Sequence, residues 1–384
     1  MKVAVIVARY GPDVLGGAEA LARGFTLEAA SRGWEVAVWT TCARSHYTWE
    51  NDWPAGRQAW RGITVHRFPI THWDPDAYAG LDVRLRNAGS LPIEEQYAWL
   101  ESGVHSAPLY AHAARRAADF DVIVALPYAS PLVHYAAWAA PEGVVVWPCL
   151  HDEPYAYTEP TRLLLEGVWG TMFLSPEERA LAVRRLGLRP CHEGVVGGGV
   201  DPAPAPGGVE PGQDLLYVGR LEEGKGLLAL YDHVRRYADG GGDLRLVVLG
   251  GGPLSPPDHP AFDYRGFVSE EEKRLACATA MALCQPSVNE SFSITLMESW
   301  LAGRPVLVHG GCPVTRGHVG RSSGGLWFRT YDEFVGAVEW MRANPGLASR
   351  MGRNGQRYVL ENFGWEKVLD RFECLVRRWR EARG

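Results

Sequence analysis

The sequence has no apolar run long enough to cross a bilayer as a helix, which excludes an integral membrane protein of that kind. Cysteine is sparse. Its seven copies are scattered, odd in number and without a C-x-x-C pair, so neither a disulfide framework nor a zinc cage is suggested, and a reducing, cytoplasmic setting fits best. Positive charge is also short: a formal net charge of −6 argues against a nucleic-acid partner, which needs clustered Lys and Arg on one face. No strongly basic amphipathic helix stands out, and peripheral membrane contact stays open. Met1-Lys2 leads straight into the apolar Val3 to Ala8, too short a run for a signal peptide.

Hydrophobic residues at 46% and charged residues at 22% are values of a folded globular protein. At 384 residues the chain exceeds the size at which a single core keeps growing, so two domains are expected. The pairs Arg115-Arg116, Arg184-Arg185 and Arg377-Arg378 read as solvated helix faces.

The first forty residues predict strand, loop, helix, strand. Val3 to Ala8 is a short β-branched run of the kind found in parallel strands covered on both faces. Gly11, Pro12, Gly16 and Gly17 mark a loop, and Ala18 to Ser31 favours a helix that Gly33 stops. A glycine loop at the carboxyl end of a first strand is where open α/β sheets bind ligands. Further strands are expected at Ile63 to Phe68, Val122 to Ala125, Val144 to Trp147 and Thr171 to Leu174, with helices over Gln96 to Asp119. Ser175-Pro176-Glu177-Glu178 carries the capping-box pattern and predicts a helix to about Leu186.

Residues 197–213 are dense in Gly and Pro and read as a linker. The α/β rhythm then restarts, with strands at Leu215 to Val218 and Leu244 to Leu249, a helix near Leu227 to Ala238, and a second capping signal at Ser269 to Glu272. Met281 to Gln285 and Pro305 to His309 read as strands. The last segment places Trp365, Val368, Leu369, Phe372, Leu375, Val376 and Trp379 at helical spacing, one apolar stripe of a packing helix.

Between the last two of those strands, Glu290 and Glu298 flank Ser291 to Met297. A helix opening near Ser293 would aim backbone N–H groups and its positive dipole end at a ligand, a ready phosphate site. A glycosidase pair needs carboxyl groups about 5 to 9.5 Å apart, whereas eight helical steps rise about 12 Å. The two acids can equally be solvated ends of an ordinary connection. His151, with Asp152 and Glu153 beside it, follows the strand Val144 to Trp147; a lone His is commonly structural, but this position is a ligand-binding one. Trp73, Tyr78, Tyr97, Trp99 and Tyr110 could stack on an acceptor sugar or pack in a core.

Glu290-x7-Glu298, continued by Ser299 to Val306, resembles the E-x7-E signature of glycosyltransferase family 4. Gly16-Gly17-Ala18-Glu19 resembles that family's first glycine loop. Gly199-Val200-Asp201 is similar to its G-V-D element, although Gly198 stands where the family commonly has Asn. Val218-Gly219-Arg220-Leu221 with Lys225-Gly226 is similar to its G-R-L...K-G element.

The resemblance implies a glycosyltransferase-B fold, two Rossmann-like α/β domains facing across a cleft. It assigns 1–196 to an acceptor domain, 214–364 to a nucleotide-sugar-binding domain and 365–384 to a helix returning to the first domain. It implies that Gly16 and Gly17 line the donor site, that Arg220 and Lys225 contact the diphosphate, and that Glu298 binds ribose. Glu290 and His151 are placed at the transferred sugar and reacting centre. Phe292, Ser293, Ile294 and Thr295 offer backbone amides, and the main chain at Val268 meets the base. The implied activity is retaining transfer of a sugar from a nucleoside diphosphate donor to a hydroxyl acceptor, with no cofactor and no metal. A sugar-nucleotide epimerase, a phosphorylase and a non-catalytic nucleotide-sugar-binding protein remain alternatives. Base, sugar, acceptor and oligomeric state are left open.

Overall fold

The computed structural model describes residues 1–14, 16–202 and 209–383. They divide into two compact units, Met1–Gly199 with Trp365–Gly384, and Val200–Gly364. Residues 203–208 of the expected linker lie outside the described residues.

The first unit is built on β1 (Lys2–Ile6), β2 (Glu35–Thr41), β3 (Gly56–Trp60), β4 (Ile63–Phe68), β5 (Val122–Ala125), β6 (Val144–Val146), β7 (Gly170–Phe173) and β8 (Glu193–Val195). They form one sheet in the order β3-β4-β2-β1-β5-β6-β7-β8, parallel except for β3, which runs antiparallel to β4. β5 and β6 are wholly buried apolar runs, and β1 is one from Val3 to Ile6, as a sheet covered on both faces requires. Neither edge strand of this sheet carries an apolar signal in the sequence. β3 reads Gly-Arg-Gln-Ala-Trp and is exposed along most of its length, and β8 has three residues. Edge strands carry polar side chains because one flank meets water, which erases the apolar signal.

Residues 72–118 hold the helices Pro75–Ala88, Ile93–Ser102 and Ala107–Arg116. Their aromatics pack inward: Trp99 is buried and stacks with Tyr78 at 5.8 Å and with Tyr155 at 5.4 Å, and Tyr110 stacks on Tyr135. The core reading of Tyr78, Trp99 and Tyr110 therefore prevails. The final helix, Trp365–Glu381, buries its predicted stripe in this unit, Leu375 only partly. Phe372 meets the rings of Phe25 at 5.0 Å and Trp147 at 5.9 Å, and Arg32 pairs with Asp370 at 2.5 Å. Burial of one such aromatic stabilises by about 1.5–3 kcal/mol.

The second unit contains β9 (Leu215–Val218), β10 (Leu246–Leu249), β11 (Phe262–Gly266), β12 (Ala282–Gln285), β13 (Val306–His309) and β14 (Gly325–Phe328). The sheet is parallel throughout, in the order β11-β10-β9-β12-β13-β14. Counted within the unit this is 3-2-1-4-5-6, the doubly wound order whose switch point lies between its first and fourth strands, here β9 and β12. Helix Glu270–Thr279 begins with the predicted capping box, Ser269 and Glu272 bonding each other's backbone N–H.

His318, on helix Pro313–Ser322, lies buried among Phe292, Tyr358 and Phe363. Its Nδ1 is 2.9 Å from the Tyr358 hydroxyl. Burial, with Arg321 nearby, lowers its pKa from 6.5 to about 3. The folded state therefore favours the neutral ring: this contribution is complete above pH 6.5 and is lost as the pH falls towards 3, because the unfolded chain takes up the proton first. Calorimetric melting should show a midpoint that falls as the pH drops from 6.5 to 4, with a shallower slope in His318→Asn.

Candidate functional site

In the second unit the site grows from the switch point. Strand β9 ends at Val218, and the chain turns through Gly219 and Arg220 into a single 3-10 turn, Glu223–Lys225, before helix Leu227–Asp239. Gly226 sits at φ +72°, and a Cβ there would lie 2.5 Å from the Pro286 carbonyl oxygen. Only glycine lets the loop after β9 press against the loop after β12. The contact brings Lys225 Nζ to 2.8 Å from Glu290 Oε1, with these side chains 20% and 11% exposed. Charges so poorly hydrated are stable only when paired. Arg220 is half-exposed and reaches Glu222 at 3.1 Å.

The loop after β12 is held by its own turn, in which the Ser287 hydroxyl accepts from Asn289 N–H and donates to the Asn289 carbonyl. It ends at Ser293, a non-glycine residue at φ 69°, which caps helix Ile294–Leu301 without a side-chain capping bond. Phe292 is buried against His318 and Phe363 and anchors that left-handed turn from beneath. The first turn of the helix, from Ile294 and Thr295 onward, opens with backbone N–H groups that have no intrahelical partner, beside the positive end of the dipole.

Glu298 lies on the same helix, and its Oε1 is 2.8 Å from Lys273 Nζ, which also reaches Glu270 at 2.8 Å. Burial raises the Glu298 pKa while Lys273 pulls it down. Burial works against the Lys273 ammonium too, but Glu298 and Glu270 outweigh it and hold that pKa above its ordinary value. Glu290 and Glu298 are thus not a mutual pair. Each has its own lysine. Lys273 was missed by sequence reasoning, since Glu270 and Lys273 spell only an i,i+3 pair and the contact with Glu298 spans 25 residues. Val268 is half-buried just before the Ser269 cap, next to Phe267, which is 71% exposed.

In the first unit, Gly16 at φ 148° caps helix Gly17–Ser31. A Cβ there would fall 2.1 Å from the Glu19 carboxylate, whereas one on Gly17 would meet nothing. Glu19 in turn holds Arg9 at 2.5 Å, both nearly buried.

His151 follows β6 on a loop where Cys149 takes φ 53°. Its Nδ1 is 3.4 Å from Glu153 Oε1, and the Tyr128 hydroxyl donates to that same oxygen at 2.8 Å. Asp152 pairs with Arg185 at 2.6 Å and accepts from the Tyr157 hydroxyl at 2.7 Å. Glu178, read in sequence as a capping glutamate, is buried and accepts from Leu150 N–H at 2.6 Å and Leu174 N–H at 2.5 Å. The Ser175 hydroxyl still caps its helix. One carboxylate thereby ties the ends of β6 and β7 and fixes the segment carrying His151. Burial pushes the Glu178 pKa up to about 8 against the pull of those amides. The same acid, after burial itself, raises the Cys149 thiol, and Glu19 adds to it.

The fold is shared with known proteins. Sucrose-phosphate synthase from Thermosynechococcus elongatus superposes with a TM-score of 0.73 at 18% identity, covering 99% of each chain. HepE from Anabaena, solved in complex with UDP and glucose, superposes at 0.70 and 16% identity over 97% of this chain and 98% of that one. The chain has the glycosyltransferase-B fold, two parallel-sheet Rossmann-like units.

Residues 207–358 match the family model described as glycosyl transferases group 1, and the second unit carries that domain. MMP alpha-(1->4)-mannosyltransferase of Mycolicibacterium hassiacum is 29% identical over 103 residues, 26% of this chain and 25% of that protein. The chain spans about a quarter of the length of the first curated relatives it matches.

Replacing Glu178 with Gln sets an NH2 against a backbone N–H and leaves that buried donor unpaired, at a cost of about 1–3 kcal/mol. Glu178→Gln should lower the melting temperature by several degrees. An unchanged melting curve would remove Glu178 as the anchor of the His151 loop.

Proposed function

We propose that the chain is a retaining glycosyltransferase of glycosyltransferase family 4, acting in the cytoplasm on a nucleoside diphosphate hexose. The observation that carries this reading is the Lys225–Glu290 pair at the β9/β12 switch point, next to the helix opening at Ser293. A cation, an acid paired with it and a row of amide donors there suit a diphosphate with a sugar attached. The group 1 domain and the curated mannosyltransferase support a hexose as the transferred sugar, and HepE, solved with UDP and glucose, supports UDP as its carrier, with GDP the other carrier proposed. All seven cysteines are free, in keeping with a reducing compartment. No helix among the described residues is long and apolar enough to cross a membrane.

In this reading Arg220, Lys225 and the backbone amides from Phe292 to Thr295 hold the diphosphate. Glu298, kept in place by Lys273, accepts from the ribose hydroxyls, and the main chain at Val268 meets the base. Glu290 is the second unit's contact to the transferred sugar, and His151 and the Gly16-Gly17 loop are the donor contacts proposed for the first unit. An acceptor hydroxyl, from a glycan, a lipid-linked sugar or a natural product, attacks the anomeric carbon from the face the diphosphate leaves. The bond from that carbon to the acceptor oxygen forms as the bond to the diphosphate breaks, and the hydroxyl proton passes to a diphosphate oxygen. Configuration is retained. The cations and amides stabilise the developing negative charge without a resident cofactor.

Nucleotide release from a panel of UDP- and GDP-sugars provides the test. Lys225→Ala is expected to lower turnover about 10²- to 10³-fold by analogy with the loss of one electrostatic donor. Glu298→Gln should chiefly raise the donor KM. Unchanged kinetics in both variants would sink the assignment.

A further inference from the structure

The loop after β2, residues 42–55, stands at the carboxyl edge of the first unit's sheet and is tied down along its length. Arg44 N–H donates to Asp52 at 2.9 Å, Trp53 N–H to the Cys42 carbonyl at 2.9 Å, and Asn51 exchanges hydrogen bonds with the Ile70 backbone. Inside this frame, Ser45 accepts from Tyr47 N–H at its hydroxyl and from Trp49 N–H at its carbonyl. The resulting turn pushes Tyr47 outward, 67% exposed, with the His46 ring against it at 3.9 Å.

The loop that carries this aromatic platform also carries charge, Arg44, whose guanidinium lies over the Trp53 ring at 5.6 Å. Arg44 and Asp13 are 3.6 Å apart and mostly exposed, so both keep donors and acceptors for a ligand. Contacts also lead from the platform towards the groups described above. The Arg44 carbonyl accepts from Arg9, Arg9 holds Glu19 beneath Gly16, and the Glu19 charge is felt at Cys149, two residues before His151. The platform, the glycine loop and the His151 loop therefore share one sheet edge, the ligand-binding edge of an open α/β fold.

A pyranose ring has a face of C–H bonds bordered by hydroxyls. Tyr47 with His46 matches the face, and Arg44 with Asp13 matches the border. We propose that this loop is an acceptor subsite for a pyranose, so that the acceptor is itself a glycoside and a bare lipid or non-sugar alcohol is not its substrate. The inference rests on the glycosyltransferase reading.

Saturation-transfer NMR on the full chain, with methyl glucoside, mannoside and galactoside as probes, tests it. The wild type should transfer saturation to the ring C–H protons of at least one pyranoside. Tyr47→Ala should bind it roughly fivefold more weakly, as loss of an aromatic contact implies, and Tyr47→Trp should restore it. UDP and GDP binding should be unaffected in both variants. Equal transfer in Tyr47→Ala, or none in a wild type that binds a nucleoside diphosphate, overturns the subsite alone. A wild type that binds no nucleoside diphosphate overturns the underlying reading instead.

Discussion

The ion pair between Lys225 and Glu290 is the constraint around which the second unit is arranged. β9 and β12 are hydrogen-bonded neighbours whose chains leave in opposite directions, and that divergence opens the crevice at their ends. Two opposite charges meet there with little exposure, so each depends on the other to offset lost hydration. The approach is sterically permitted because Gly226 has no Cβ to strike Pro286. Burial with Glu290 nearby also raises the pKa of the Tyr217 hydroxyl and of the Cys312 thiol, which keeps both neutral beside the pair. The left-handed turn at Ser293 then aims the helix start at the same place, held from below by Phe292.

The same physical solution recurs. Lys273 stands between Glu270 and Glu298, and in the first unit Arg9 binds Glu19 while Glu178 takes two backbone amides. Strand ends in an open sheet leave polar backbone groups and charges partly out of water, and each must find a partner. Acids and their partners at the ends of β1, β6, β7, β9 and β12 meet that demand while leaving groups suited to a phosphate or a sugar.

Much of this was legible in the sequence because it is local. Short apolar runs gave the central strands, Ser269 with Glu272 gave a helix start, and the spacing from Asn289 to Glu298 gave a loop followed by a helix. Contacts made by folding were not legible. Lys273 carried no signal beyond an i,i+3 spacing from Glu270, and Glu178 looked like a capping residue whose carboxylate faces its own helix. Tyr47 carried no pattern at all, since nothing in a run of polar residues says which ring a turn will expose. β3 escaped because an edge strand has polar side chains in place of an apolar signature.

A thermal-shift screen of the full chain with UDP, GDP, ADP and dTDP tests most directly whether the switch point is a nucleoside diphosphate site. At a ligand concentration 100 times Kd, a specific nucleotide stabilises by about 2.7 kcal/mol. One of the four is predicted to raise the melting temperature by several degrees. No shift with any of them at millimolar concentration would contradict the account.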